Sequence, residues 1–411
     1  MPATLRPLPP PDMEAPPTAG HCALCGGRDR LPVQSQRLAL LGRDEPCCVE
    51  FCVCGDCGHI QQWPPAAPEL MAHHYRSVAT YEVFGEIESL RAAPPSRHAR
   101  RFVQLVADIG LTPGRAYEVG CASGAMLHQF RKRGWQVAGC DPSPSAISQA
   151  AAIFDIQADL GNEADVLPRQ SALNLVLACH VLEHLYDPRA ALARFHAVLA
   201  EGGHLVLEVP CATMPDRLPP GWFTFEHLHY YQPAAMQRLL SETGFEVVET
   251  RIDNTSEHYP VMAIAARKSG QRQTVPTADA SAGLHLAHSY AARDKLLWTA
   301  TALRLACIQE PVFVYGAGIH TAQLLDRTGL LPNIIAIADH DSKKWGQSQA
   351  GKAVISPAEL LAHPSRAPVV ISSYVSERQI VAALLEGGIA PKRLVPLYSQ
   401  IPPETATRAA H

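Results

Sequence analysis

Between Phe102 and about Arg267 the chain alternates short, nearly continuous apolar runs with stretches of helical period. The apolar runs are Ala116-Tyr117-Glu118-Val119, Gln136 to Cys140, Leu173 to Ala178 and His204 to Val209. Strands that are apolar on both faces and separated by helices predict a parallel sheet covered on each side. Two later runs, Phe245 to Glu249 and Val261 to Ala266, read as an antiparallel pair at one edge. A helix from about Leu284 to Cys307 follows a polar linker. The strand rhythm then resumes with Val312 to Tyr315, Ile334 to Asp339 and Pro368 to Ser373, which predicts a second α/β unit.

Cysteine spacing adds a third unit. Of the 12 cysteines, seven fall between Cys22 and Cys57. Cys22-x-x-Cys25 and Cys54-x-x-Cys57 are two knuckles, each followed by glycine, and four thiolates so paired suit a tetrahedral ion. Four sulfur ligands leave no open position, so the expected zinc is structural. Cys47, Cys48 and Cys52 compete with them in sequence. The 411 residues suit two or three domains. The expected order is a disordered tail over 1–20, a zinc-binding module over 21–67 and a helical connector over 68–101. An α/β core over 102–268, a linker and helix over 269–310, a second α/β domain over 311–401 and a tail over 402–411 follow.

Charge narrows the partners. With 35 Lys and Arg against 39 Asp and Glu the net charge is -4, which offers no broad basic field for nucleic acid. No apolar stretch approaches the roughly 20 residues of a membrane span. The Pro-rich N-terminus lacks the order of a signal peptide. A cytoplasmic protein with a small-molecule substrate is expected.

The candidate chemistry starts at Glu118-Val119-Gly120-Cys121-Ala122-Ser123-Gly124, answered by Asp141-Pro142 at the end of the next strand. Gly120 and Gly124 let backbone approach a ligand. Asp141 can take both hydroxyls of a ribose. Glu118 would repel a pyrophosphate but suits an ammonium. This loop resembles the S-adenosylmethionine loop of class I methyltransferases. The resemblance implies cofactor binding by Glu118, Gly120, Cys121, Gly124, Asp141 and Pro142, with Asp159 near the adenine and His180 across the crevice.

Two His/acid groups follow strands of the core: His180-Val181-Leu182-Glu183-His184 and Glu226-His227-Leu228-His229-Tyr230-Tyr231. Methyl transfer from a sulfonium needs mainly alignment. A carbon acceptor must also lose a proton, and a histidine suits that task. His227 is the candidate base, with Glu226 orienting its ring and His184 or Tyr230 steadying the developing oxygen charge. His229 reads as packing.

The whole order resembles the sugar C-methyltransferases that act on nucleotide-linked 4-keto-deoxysugars in antibiotic pathways. The resemblance implies an α/β fold with a small zinc module, a class I methyltransferase Rossmann-like core and a second Rossmann-like domain. It carries the metal ligands onto Cys22, Cys25, Cys54 and Cys57, followed by Gln61 and Gln62. It carries the E-H pair onto Glu226 and His227, and brings in His184, Tyr75 and Tyr81. Thr224 stands where that family has a tyrosine, so an O- or N-methyltransferase, or a non-catalytic cofactor-binding assembly protein, also fits. In the C-terminal opening Gly316-x-Gly318, Thr321 replaces a third glycine. That loop, with Asp339, reads as scaffold covering a nucleotide moiety.

Overall fold

The computed structural model describes residues 20–77, 86–254, 259–270 and 280–399. The expected terminal tails, Tyr81 and most of the polar linker lie outside the described residues. In the Cys-rich segment, β1 (Arg30–Leu38), β2 (Cys47–Cys54) and β3 (Ile60–Gln62) form an antiparallel sheet. The core supplies β4 (Arg115–Val119), β5 (Gln136–Asp141), β6 (Ala158–Leu160), β7 (Leu173–Cys179) and β8 (Leu199–Pro210). After β9 (His229–Tyr230) come β10 (Phe245–Asp253) and β11 (Val261–Lys268).

The core sheet has the order β10-β11-β8-β7-β4-β5-β6. Strands β4 to β8 pair in parallel, while β11 runs against β8 and β10 against β11, as the apolar runs predict. Leu175, Val176 and Leu177 of β7 are all fully buried, which is why that segment reads as apolar on both faces. The helix Arg97–Asp108 turns Ala99, Phe102, Leu105 and Val106 onto the sheet, and Ser96 caps it by accepting from the Ala99 amide. Chain direction around the sheet reverses between β4 and β7. The carboxyl ends of those two strands therefore open a crevice, the usual ligand position in such sheets.

The third sheet contains β12 (Val312–Tyr315), β13 (Ile334–Ala338), β14 (Ser348–Gln349), β15 (Lys352–Ile355), β16 (Val369–Ile371) and β17 (Leu394–Pro396). Its order is β14-β15-β13-β12-β16-β17, with only β14 antiparallel to its neighbour. Strands β6, β14 and β17 escape the sequence reading because two or three residues carry no period. No described helix is long and apolar enough to cross a membrane.

The sheet of the Cys-rich segment takes in a strand from the core. Strand β9 of the core joins its sheet, with Ile60 opposite Tyr230 and Gln61 opposite His229. Without β9 the edge of β3 would be left unpaired. Rings from both sides fuse the junction. Phe51 stacks on Phe223 at 5.0 Å, and Tyr230 meets Phe223 edge-on at 4.9 Å. Each fully buried ring is worth about 1.5–3 kcal/mol over exposure. The helix Ala280–Ala306 seals the junction, with Gly283 so close to the Cys57-Gly58 knuckle that a Cβ there would lie 1.9 Å from the Gly58 carbonyl oxygen.

Candidate functional site

The loop after β4 is shaped by three left-handed residues, Gly120 (φ 70°), Ala122 (φ 45°) and Gly124 (φ 77°). A Cβ on Gly120 would lie 2.6 Å from Val181 Cγ2, so the loops after β4 and β7 meet where the crevice opens. Asp141 holds this loop from the side: its Oδ2 accepts from the Ala122 amide at 2.9 Å and its Oδ1 from Ser143 at 2.9 Å. Each oxygen keeps a lone pair for a ligand hydroxyl. Glu118 is buried beneath the loop, and its Oε2 has no hydrogen-bond partner among the described residues. Burial first, then the charge of Asp141, push its carboxyl well above the usual range. A cation placed there would relieve both penalties. Cys121 is buried in the same loop and Pro142 lies exposed at its mouth. Asp159 stands on β6 opposite Cys140, accepts from the Tyr117 hydroxyl at 3.2 Å and lines a cavity with Ile147, Ala151 and Ile156.

His180, at φ 53°, follows β7 and enters a charged network that the sequence did not reveal. Its Nδ1 lies 3.1 Å from Glu183 Oε1 and its Nε2 3.3 Å from Glu208 Oε1. Glu208, fully buried on β8, also accepts from Arg101 Nε at 2.6 Å and Nη2 at 3.0 Å, and from His98. Arg101 Nη1 reaches Asp253 at 2.6 Å. Burial opposes charge on His180, but the bonds to Glu183 and Glu208 outweigh it and raise the ring to about 9. Burial likewise opposes charge on Glu183, yet its bond to His180 and the nearby rings lower it to about 2. The available signal was Glu208 itself, an acid inside an apolar run.

Beyond this network lies the loop from Gly221 to Tyr231. Gln62 gathers it: Nε2 donates to the carbonyls of Phe225 at 2.8 Å, His227 at 3.0 Å and Thr224 at 3.2 Å. Gln36 donates to the Phe223 carbonyl at 2.7 Å, and Gln323 of the C-terminal domain to Phe223 at 2.9 Å and Gly221 at 3.0 Å. His184 Nδ1 sits 3.0 Å from the Glu226 carbonyl and 2.9 Å from the Tyr75 hydroxyl. The rings of His184 and His227 meet edge-on at 4.9 Å. The enclosure of His227, then His184, lower it to about 4 against the pull of Glu183 and Glu226, so the ring is neutral at neutral pH.

Two expected contacts are replaced by others. The Glu226 carboxylate pairs with His74 at 2.7 Å and not with His227, because His74 on the helix Pro68–Ser77 reaches it first. The Tyr230 hydroxyl accepts from the Thr224 amide at 2.8 Å and donates to the Thr224 carbonyl at 3.1 Å. It is buried and committed to the turn, so it cannot also serve a ligand oxygen. His229 is buried, 3.1 Å from His59.

The four knuckle thiols converge. Cys22 and Cys57 lie 3.7 Å apart, and Cys25 and Cys54 3.6 Å. A tetrahedron of metal–sulfur bonds of ~2.3 Å has edges of about 3.8 Å. Gly26 and Gly58, both at φ 73°, make the two turns. Cys47 and Cys52 lie on β2, outside the cluster. Gln61 accepts from the Ala23 amide at 3.0 Å and so ties β3 to the first knuckle. In the C-terminal domain Asp339 is filled by the Ala317 amide at 2.7 Å and Lys344 at 3.1 Å.

Residues 91–250 match the family described as methyltransferase domain. These residues carry a methyltransferase domain with the mixed α/β fold of class I. Over 249 residues, 56% of each chain, the protein is 27% identical to the C-methyltransferase NovU of Streptomyces niveus. Over 100 residues it is 36% identical to the ubiquinone biosynthesis O-methyltransferase of Bradyrhizobium sp. (strain ORS 278), covering 23% of this chain and 38% of that one. The chain thus spans about half or less of the length of these curated relatives. The Burkholderia thailandensis 1,6-didemethyltoxoflavin-N1-methyltransferase, solved with S-adenosylhomocysteine, overlaps 51% of this chain and 96% of its own. Its identity is 18% and its TM-score 0.38.

Replacing Gln62 with Ala should remove one donor from three loop carbonyls at once, leaving Thr224 its bond from Tyr230. The expected loss of stability is about 1–3 kcal/mol, measured by chemical denaturation. Hydrogen exchange at the amides of Thr224 to Leu228 should speed up before that of β4 and β7. Uniform exchange across all three would show that the loop is held elsewhere.

Proposed function

We propose that this methyltransferase domain takes its methyl group from S-adenosylmethionine and passes it to a small acceptor in the crevice between β4 and β7. The observation that carries this reading is the buried Glu118, whose Oε2 is unpartnered beside a loop gripped by Asp141. An amino acid joined to a nucleoside brings an ammonium for the first and a ribose for the second. When bound, the cofactor supplies an activated methyl on a sulfonium, and the protein's task is alignment and proton removal. We place zinc in the four-thiol cluster as a structural ion, and the protein in a cytoplasm that keeps those thiols reduced.

The finer reading is C-methylation next to a ketone, on a sugar-like or nucleotide-linked substrate. His227, neutral at neutral pH, would take the proton from the acceptor carbon. Donors at the adjacent oxygen act mainly on the transition state, where charge develops. With Tyr230 committed to Thr224, that duty falls to His184. Its Nδ1 is held by Glu226 and Tyr75, so its Nε2 can donate only when the ring is charged. This demand favours a second reading, transfer to oxygen or nitrogen, in which no carbon proton is removed. The likeness to an O-methyltransferase over 100 residues supports it as well.

Asp141→Ala should weaken S-adenosylmethionine binding by about 1.5–3 kcal/mol, the worth of a charge-assisted contact. Unchanged affinity in a calorimetric titration would remove Asp141 from the site. Elemental analysis of freshly purified protein should find zinc, and Cys54→Ala should lose one equivalent of it. His227→Asn should lower turnover by a factor of about 10²–10⁴ with little change in cofactor affinity. Solvent deuterium should enter the acceptor carbon with wild type and not with the mutant. A mutant with full turnover makes transfer to oxygen or nitrogen the better reading.

A further inference from the structure

Glu183, His184 and His227 present one carboxylate oxygen and two ring nitrogens within 4.8 Å of one another. We propose that these three residues form an open binding site for one divalent transition-metal ion, separate from the four cysteines. The first support is tautomeric. His184 Nδ1 lies 3.0 Å from the Glu226 carbonyl oxygen, which can only accept, so in the neutral ring the proton sits on Nδ1. The lone pair is then on Nε2, which faces Glu183 Oε1 at 3.8 Å. Two electron pairs thus face each other across that distance. A carbonyl or carboxylate on the far nitrogen is also what fixes most metal-binding histidines.

The second support is independent of the first. Glu183 is 0% exposed, and its Oε2 has no hydrogen-bond partner among the described residues. A buried carboxylate oxygen left so carries a desolvation penalty that a coordinated cation removes. Metal–nitrogen and metal–oxygen bonds of about 2.0–2.2 Å put ligand atoms roughly 3–4 Å apart, a range that includes the 3.8 Å between Glu183 and His184. Two imidazoles and one carboxylate suit zinc, iron(II), cobalt(II) or nickel(II), and offer too few oxygens for calcium. Three protein ligands leave positions open to water or to an oxygen of a small molecule.

A neighbouring set, His98, Cys179, His180 and Glu208, is equally close-packed. There the Arg101 guanidinium already occupies Glu208, so a second cation would meet a fixed positive charge. His180 Nδ1 sits on Glu183 Oε1 at 3.1 Å, and it is Oε2, without a partner among the described residues, that is left for an ion. An ion held by the three residues would also engage the lone pair of His227. Ion binding and proton abstraction by His227 are therefore alternatives for one ring, and added ion would slow any reaction that uses it as a base.

The test reads metal uptake with neither methyl donor nor acceptor present, so it is separate from whether the chain transfers methyl groups. Full-length protein with its cysteine cluster loaded with zinc is titrated with cobalt(II). Wild type should take up one cobalt per chain, with ligand-field bands and without the thiolate-to-cobalt charge-transfer band of a cysteine site. Glu183→Gln and His227→Ala should each weaken that uptake by at least the 10–100-fold that loss of even an outer partner costs. Because His227 lies on a loop, its variant serves if the buried Glu183 substitution fails to fold. Absence of cobalt uptake beyond the charge-transfer signal would overturn the proposal. Undiminished uptake by the folded variants would do the same.

Discussion

The amide of Gln62 holds the loop on which the proposed acceptor side of this molecule depends. One side chain on a three-residue strand collects the carbonyls of Thr224, Phe225 and His227. Its Oε1 accepts from Ala66, so both ends of the group are spent. Gln36, Gln323 and Asp294 grip the preceding turn, Asp294 by accepting from the Gly221 amide at 2.8 Å. Loops usually satisfy their backbone with water. This one is satisfied by side chains from the Cys-rich module, the long helix and the C-terminal domain, and His227 inherits that rigidity.

The proposed cofactor side is built differently. Its parts come from one stretch of chain, Glu118 to Asp141, and are fixed by backbone conformation at three left-handed residues. The two sides meet through the His180 network. Its charges compensate in pairs: Arg101 serves Glu208 and Asp253, and His180 serves Glu183 and Glu208. Buried ion pairs add little net stability, but breaking one strands its partner. Such a network resists rearrangement when a charged ligand enters, and it keeps a positive charge at His180.

The two halves of the site were unequally legible in the sequence. Local signals were sufficient for the core strands, the knuckles and the turn from Glu118 to Gly124, because period, spacing and glycine act over a few residues. The reading failed where a partner lies far along the chain. Nothing near Tyr230 says that its hydroxyl closes on Thr224, and nothing near Glu226 says that His74 will reach it. Glu208, Arg101 and Asp253 are ordinary residues until the sheet and the helix Arg97–Asp108 bring them together. The pairing of β3 with β9 was hidden for the same reason, since two residues at each end carry no pattern.

The same long-range pairing has a kinetic side. Strand β3 emerges early in synthesis, yet its partner β9 lies some 170 residues later, as the pairing of Ile60 with Tyr230 shows. Gln36 waits longer still for Gln323. Contacts so distant in sequence are closed late, because chain entropy must be spent before they give anything back. Until then the edge of β3 and the apolar side chains of Phe51 and Ile60 are open to solvent and to other chains. The β1–β2 hairpin and the knuckles that flank it close on contacts within the module itself. An ion captured there would hold the early sheet in register while the rest of the chain is made.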